Sequence, residues 1–206
     1  AHSLTLTDNQ DSYQASLGMQ WLADSQHAYS PKMALRAFID GEGEEIHDKY
    51  PSLGFREGLQ WFLVPIDNQS QQALWFVRLG RPHLDYLDLY LFDRQGTRLW
   101  HNRLGDRVPF DTRTFAHNHL VSTLDLPVNA QRYLLLRAQG DNVIELPISL
   151  MSPIAFNQQD TQVSIFHGLY FGAMVAIFLF NLLIFVSIRD RSYLLYVLYL
   201  GTFTLN

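Results

Sequence analysis

Short apolar runs separated by polar breaks fill most of the chain. Residues 59–66 are followed by the break Asp67-Asn68-Gln69-Ser70 and then by a run over 73–79. Residues 86–92 lead through Asp93-Arg94-Gln95-Gly96 into 97–101, and further runs cover 114–123, 132–138 and 143–151. Strand-length runs at this spacing, with Asn, Asp and Gly between them, predict an all-β sandwich or barrel over residues 1–151, after an irregular start. No interval has the length and period of a crossover helix, which argues against a parallel α/β sheet. Pro65 interrupts one run and predicts an edge strand or a bulge there.

The pattern changes at Thr161. From there to Ile188 the chain carries no Asp, Glu, Lys or Arg. A helix of that length extends about 42 Å, enough to cross a hydrocarbon core of about 30 Å. The plain alternative, a buried helix of a soluble protein, fits poorly with so long and uncharged a run. Arg189-Asp190-Arg191 ends it, and a second apolar run occupies 193–206. Two arginines in a short loop favour the cytoplasmic side. The expectation is therefore a linker over 152–160, a first membrane helix over 161–188, a cytoplasmic turn over 189–192 and the start of a second helix over 193–206. The N-terminal domain then lies outside.

Charge and composition narrow the partners. The chain has 15 basic and 20 acidic residues, and only Arg189, Arg191 and Asp190 fall after residue 160, leaving 13 against 19, net −6, outside. An acidic surface of that kind argues against nucleic acid and against tight docking on anionic lipid headgroups, so contact with lipid is left to the helix. There is no cysteine, hence no disulfide framework, thiol nucleophile or cysteine metal site. The start Ala1-His2-Ser3 lacks the charged-then-apolar pattern of an export signal, and the chain stops inside an apolar run. Both ends read as those of a fragment.

Candidate chemistry lies on the strand 86–92. Alternation puts Tyr86, Asp88 and Tyr90 on one face and Leu87, Leu89 and Leu91 on the other. If the turn at 93–96 closes a hairpin, Asp88 comes opposite His101 and Trp100 joins the leucine face. Such a face can stack a sugar or other small polar solute on its rings while the carboxylate accepts hydroxyl protons. The alternative is that the tyrosines only cover the sheet and Asp88 pairs with a local arginine. Arg107, in Gly105-Asp106-Arg107, is a candidate for anionic ligands, or else a solvated turn residue. His117 and His119 share a strand face and could hold zinc only with a third ligand such as His101 or His83, so no metal site is assigned. Gly41-Glu42-Gly43-Glu44-Glu45 lacks the regular spacing of a calcium loop. No nucleophile motif is present, and neither catalysis nor a cofactor is expected. In the membrane run, Gly168, Gly172 and Ala176 recur at four-residue spacing and suit close helix packing. Asn181, deep in the run, is expected to face another helix, while His167 lies near its outer end.

Several segments together resemble one bacterial family. They are Leu84-Asp85-Tyr86-Leu87-Asp88-Leu89-Tyr90, Gly105-Asp106-Arg107-Val108-Pro109-Phe110 and Leu146-Pro147-Ile148-Ser149-Leu150-Met151-Ser152-Pro153. The membrane part contributes Gly168-Leu169-Tyr170-Phe171-Gly172, Phe180-Asn181-Leu182 and the stretch from Ser187 to Val197. In this order they resemble the seven-transmembrane receptors with diverse intracellular signalling modules, with a periplasmic sensory domain of the second extracellular type. The resemblance covers roughly residues 14–206. It implies a jelly-roll sandwich similar to carbohydrate-binding modules, seven membrane helices in the bacterial inner membrane, and a cytoplasmic output, commonly a histidine kinase or diguanylate cyclase. The family often has arginine soon after a tryptophan in an early strand, whereas Trp61 here leads into Phe62-Leu63-Val64-Pro65, so no ligand role transfers from that arginine. The expected function is a ligand-sensing input module whose partner is a small polar solute or a periplasmic protein. The alternatives are a membrane-tethered carbohydrate-binding module and a docking or homodimerisation domain.

Overall fold

The computed structural model describes residues 3–48, 51–55, 58–80, 86–105, 120–139 and 143–188. In chain order the elements are β1 (Leu4–Leu6), β2 (Ser12–Gln14), β3 (Gln20–Asp24), α1 (Pro31–Ile39), β4 (Glu44–Glu45) and β5 (Ser52–Phe55). They continue with β6 (Leu59–Asn68), β7 (Leu74–Leu79), β8 (Tyr86–Phe92), β9 (Arg98–Leu104), β10 (Leu120–Asp125), β11 (Ala130–Gln139), β12 (Val143–Glu145), β13 (Ile148–Met151) and α2 (Pro153–Ile188). The chain divides into two compact units, residues 1–156 and 157–206.

The first unit is a β-sandwich. Its larger sheet runs β4-β3-β6-β11-β8-β9, with β1 added parallel to the end of β6, and the smaller runs β10-β7-β13-β2. Strands 6, 7 and 8 alternate between the sheets, as does the path through β9, β10 and β11, so the chain repeatedly crosses the core. Alternation along each strand sends one set of side chains inward. Phe62, Val64, Leu87, Leu89, Leu91, Leu134 and Leu136 from the larger sheet meet Trp75, Val77, Leu79, Leu124 and Leu150 from the smaller one. The outward set of the larger sheet is also covered, because α1 lays Ala34, Leu35 and Phe38 over Trp61, Leu63, Tyr90, Phe92 and Leu135. A strand buried on both faces cannot show polar alternation, which is why β6 reads as an almost continuous apolar run.

Four expectations are corrected. The first 58 residues are not irregular: they hold five strands and α1. That helix has ordinary boundary chemistry, with Ser30 Oγ accepting the Met33 N–H at 3.3 Å and Pro31 in the first turn. Pro65 lies in a central strand. On the flank away from β11, pairing with β3 ends at Leu63 and pairing with β1 begins at Ile66, so Pro65 occupies a position where that flank has no partner. The run over 143–151 is two strands in different sheets, split at Leu146-Pro147. The stretch expected as a linker is helical from Pro153, since Ser152 Oγ accepts the Ala155 N–H at 3.2 Å and caps the first turn. A proline at the first helical position lacks only a donor that would have no partner there anyway.

In the second unit, Gly168–Ile188 of α2 is long and apolar enough to cross a membrane, 21 residues or about 32 Å. Leu169, Phe180, Leu183, Val186 and Ile188 are exposed, as lipid-facing side chains would be. The expected cytoplasmic turn and second helix lie outside the described residues.

Candidate functional site

The outward face of the larger sheet brings chemistry-bearing residues into rows. One row, read across neighbouring strands by register, is Leu22, Trp61, Arg137, Asp88 and Arg103. The next is Leu63, Leu135, Tyr90 and His101. Asp88 is the hub of this arrangement and is 1% exposed. Its Oδ1 accepts from Arg103 Nε at 2.8 Å and contacts His101 Nε2 at 3.0 Å. Its Oδ2 accepts from Arg137 Nε at 3.0 Å, from Arg137 Nη2, and from Arg103 Nη2 at 3.4 Å.

Burial by itself would raise the Asp88 pKa, but the hydrogen bonds from Arg103, His101 and Arg137 outweigh it and hold the carboxyl below its ordinary value. The same carboxylate raises the Arg103 pKa by hydrogen bonding and charge attraction. Burial, then the Asp88 charge, raises that of the Tyr90 phenol. His101 stacks on Tyr90 with ring centroids 4.5 Å apart and planes 11° from parallel. Arg103 lies over Tyr86 at 6.0 Å from the ring centroid, and Arg137 over Trp61 at 5.9 Å.

A second buried carboxylate secures the other end of the row. Asp24 accepts from the backbone N–H groups of Ala28 at 2.7 Å and Tyr29 at 3.1 Å, and from the Trp61 indole at 3.1 Å. Burial opposes its charge, yet the Ala28, Trp61 and Tyr29 donors, helped by nearby His27, keep its pKa below the ordinary value. Asp24 thus ties the connection into α1 to the sheet and fixes the ring against which Arg137 rests.

Tyr86, Asp88, Tyr90 and His101 therefore come together as expected, but with different chemistry. The hairpin pairs Tyr90 with His101 and Asp88 with Arg103, a slip of two residues: Phe92 pairs with Arg98 rather than Thr97, and the shift between Leu91 and Phe92 leaves Leu99 as a further extra residue. The slip is an even number of residues, so no side chain changes face, and Trp100 still packs against the leucine side. Tyr90 is 4% exposed beneath α1 and offers no open stacking surface. Asp88 has its acceptor sites filled. The guanidinium groups keep donors to spare: the side chains of Arg103 and Arg137 are 52% and 27% exposed, with His101 beside them at 37%. Among the described residues, the Nη1 atoms of Arg103 and Arg137 have no partner. The cluster carries one carboxylate against two guanidinium groups, so it presents positive charge.

Arg103 and Arg137 were not singled out from the sequence. Arg137 breaks the apolar run Leu134-Leu135-Leu136 at an outward position, and that break was the available signal. Arg107, His83, His117 and His119 lie outside the described residues. Glu44 and Glu45 form the edge strand β4, and no group of three metal-binding side chains occurs among the described residues. In α2, Asn181 Nδ2 donates to the Ile177 carbonyl at 2.8 Å, within its own helix, while Gly168 and Gly172 have open space around them.

Among solved structures, the chain is similar to a CBM6 module from Clostridium stercorarium in complex with cellobiose. The identity is 12% and the TM-score 0.36, over 74% of this chain and 98% of that one. It is also similar to a cycloisomaltooligosaccharide glucanotransferase from a Paenibacillus species, at 12% identity and TM-score 0.31, over 73% of this chain and 19% of that one. Among curated proteins, none matches the chain. Two family profiles match in tandem: 7TMR-DISM extracellular 2 over residues 17–152, and 7TM diverse intracellular signalling over residues 164–206. The chain thus belongs to the 7TMR-DISM receptors, as an extracellular sensory domain followed by the beginning of their membrane region.

Proposed function

We propose that the sandwich is a periplasmic ligand sensor of a bacterial inner-membrane receptor, and that it takes an acceptor-rich polar solute, such as an organic acid or a sugar acid, on the face formed by Arg103, Arg137, His101 and Tyr86. The observation that carries this reading is the Arg103–Asp88–Arg137 cluster. Asp88 holds both guanidinium groups in place, and their unused donors face outward with a net positive charge. A ligand carboxylate can receive two parallel N–H groups from such a fork, whereas Asp88 has no acceptor site left for a ligand hydroxyl. Tyr86, under Arg103, supplies the apolar edge.

The relay follows from the exit of the chain. Strand β13 is hydrogen-bonded between β7 and β2, and a single residue, Ser152, separates it from α2. Ser152 Oγ donates to Asp11 Oδ1 at 2.8 Å, and Phe156 stacks on Phe76 at 4.6 Å with planes 6° apart. A ligand that prefers one pose of the sandwich would bias the first turn of α2 and, through the helix bundle, a cytoplasmic histidine kinase or diguanylate cyclase. Gly168 and Gly172 would admit a close neighbouring helix within that bundle, with Asn181 turned toward it.

The test is a thermal-shift screen of the chain in phosphatidylcholine nanodiscs against organic acids, sugar acids, neutral sugars and amino acids. A saturable rise in Tm that Arg103→Ala abolishes supports the site. A rise that survives both Arg103→Ala and Tyr86→Ala places the ligand elsewhere and sinks this face as the sensor. No rise with any compound transfers the role to docking of a periplasmic protein or a second copy.

A further inference from the structure

A cavity of about 340 Å³ opens on the outward face of the larger sheet at the C-terminal end of α1, and it shares no residue with the Asp88 cluster. That volume is at the lower end of the range for small-ligand sites, roughly 300–1,000 Å³. Its walls come from Phe38 of α1, Gln20 of β3, Leu63 and Asp67 of β6, and Tyr133 of β11. Leu63, Pro65 and Asp67 recur at two-residue spacing on β6, so they share the face that α1 covers. Gly43 leaves room for the Phe38 ring, since a Cβ there would lie 2.5 Å from it.

Two polar groups on this face are acceptors with unused capacity. Gln20 is 8% exposed, and its Oε1 is buried without a hydrogen-bond partner. A buried acceptor left unpaired costs about 1–3 kcal/mol, so a bound donor at this position would restore what folding gave up. Asp67 is half-buried, and its Oδ2 accepts from Gln69 Nε2 at 2.7 Å while Oδ1 has no partner among the described residues. The partially negative C-terminal end of α1 adds to the same side. Arg132, the cationic residue in the wall, follows the opposite alternation to Tyr133; its Nη1 is bound to the Gln131 carbonyl at 2.9 Å, and its Nε is buried without a hydrogen-bond partner. Two rings, Phe38 and Tyr133, complete the lining, and aromatic faces attract cations.

We infer that this cavity is a second ligand site, for a small organic ammonium ion, with Asp67 as counter-charge, Gln20 Oε1 as acceptor of an ammonium N–H, and Phe38 and Tyr133 as the aromatic wall. The site takes a cation where the Arg103–Arg137 face takes an anion, so one domain can read two chemically opposite solutes.

Calorimetric titration of the chain in phosphatidylcholine nanodiscs, with empty nanodiscs as blank, tests it using putrescine and ethanolamine against the matched diols 1,4-butanediol and ethylene glycol. At least one amine is expected to bind saturably and at least tenfold more tightly than its diol. Asp67→Asn, which is nearly isosteric and half-exposed, should weaken that binding at least tenfold, as should Gln20→Leu. Arg103→Ala should leave it unchanged, which separates this site from the proposed sensor face. The inference is overturned if neither amine saturates, if amine and diol bind alike, or if Asp67→Asn binds as well as the parent chain in a sample with an unchanged Tm.

Discussion

Asp88 is a carboxylate that the fold cannot easily lose. Its removal would leave Arg137, largely enclosed beside Trp61, without its counter-charge. Removing one partner of a buried ion pair costs about 3–5 kcal/mol. Asp88→Ala should therefore lower Tm by roughly 10 °C, on the scale of about 2–4 °C per kcal/mol for a domain of this size. Arg103→Ala, at a half-exposed partner, should cost under about 1 kcal/mol. Because the folded-state pKa of Asp88 is depressed, its contribution is complete above the unfolded carboxylate pKa of about 3.9 and is lost as pH falls through the folded value. Asp24 acts in the same direction. Tm followed from pH 7 downward should stay level and then fall steeply below about pH 4, and less steeply in Asp88→Asn. A Tm profile of Asp88→Asn parallel to that of the parent would contradict this assignment. Alternation alone revealed which residues share the Asp88 face. It could not reveal Arg137 as the partner, because β8 and β11 are about fifty residues apart in sequence and no local rule sets their pairing.

At the scale of elements, α1 shows what periodicity leaves out. It has nine residues and two and a half turns, too few for an apolar period to stand out, and its packing on the sheet supplies most of its stability. The boundary chemistry was legible all the same: Ser30 before Pro31 at the start, and Gly41 at φ +91° just beyond the end. Ser30→Ala removes the cap on Met33 and should cost about 1 kcal/mol, seen as a fall of a few degrees in Tm. An unchanged Tm would mean that the sheet, and not the cap, sets where the helix begins. Strands β7, β8 and β11 were legible because each carries a run long enough to read, whereas β1, β2, β4 and β5 have two to four residues each and exist only through their neighbours.

At the scale of the molecule, a β-sandwich or barrel and a segment long and apolar enough to span a membrane were both legible, since each rests on a pattern over many residues rather than on a single contact, while the sensory role was legible only through the family resemblance. The chain has no cysteine, so one introduced thiol reports its own side of the membrane. Gln95→Cys, in the exposed turn between β8 and β9, should react with a membrane-impermeant maleimide added to intact spheroplasts. Labelling only after lysis would reverse the orientation.

The pairing of β2 with β13 also sets the order of events during synthesis. Residues near position 13 find their partners only when residues near position 150 emerge, and β13 is needed on both sides, by β2 and by β7. Until then β7, which carries Trp75, Val77 and Leu79, lacks one of its two neighbours in the smaller sheet. Contacts this distant make folding slow and leave apolar surface open to wrong partners in the meantime. The sandwich therefore closes last at β13, the strand that Ser152 joins directly to α2.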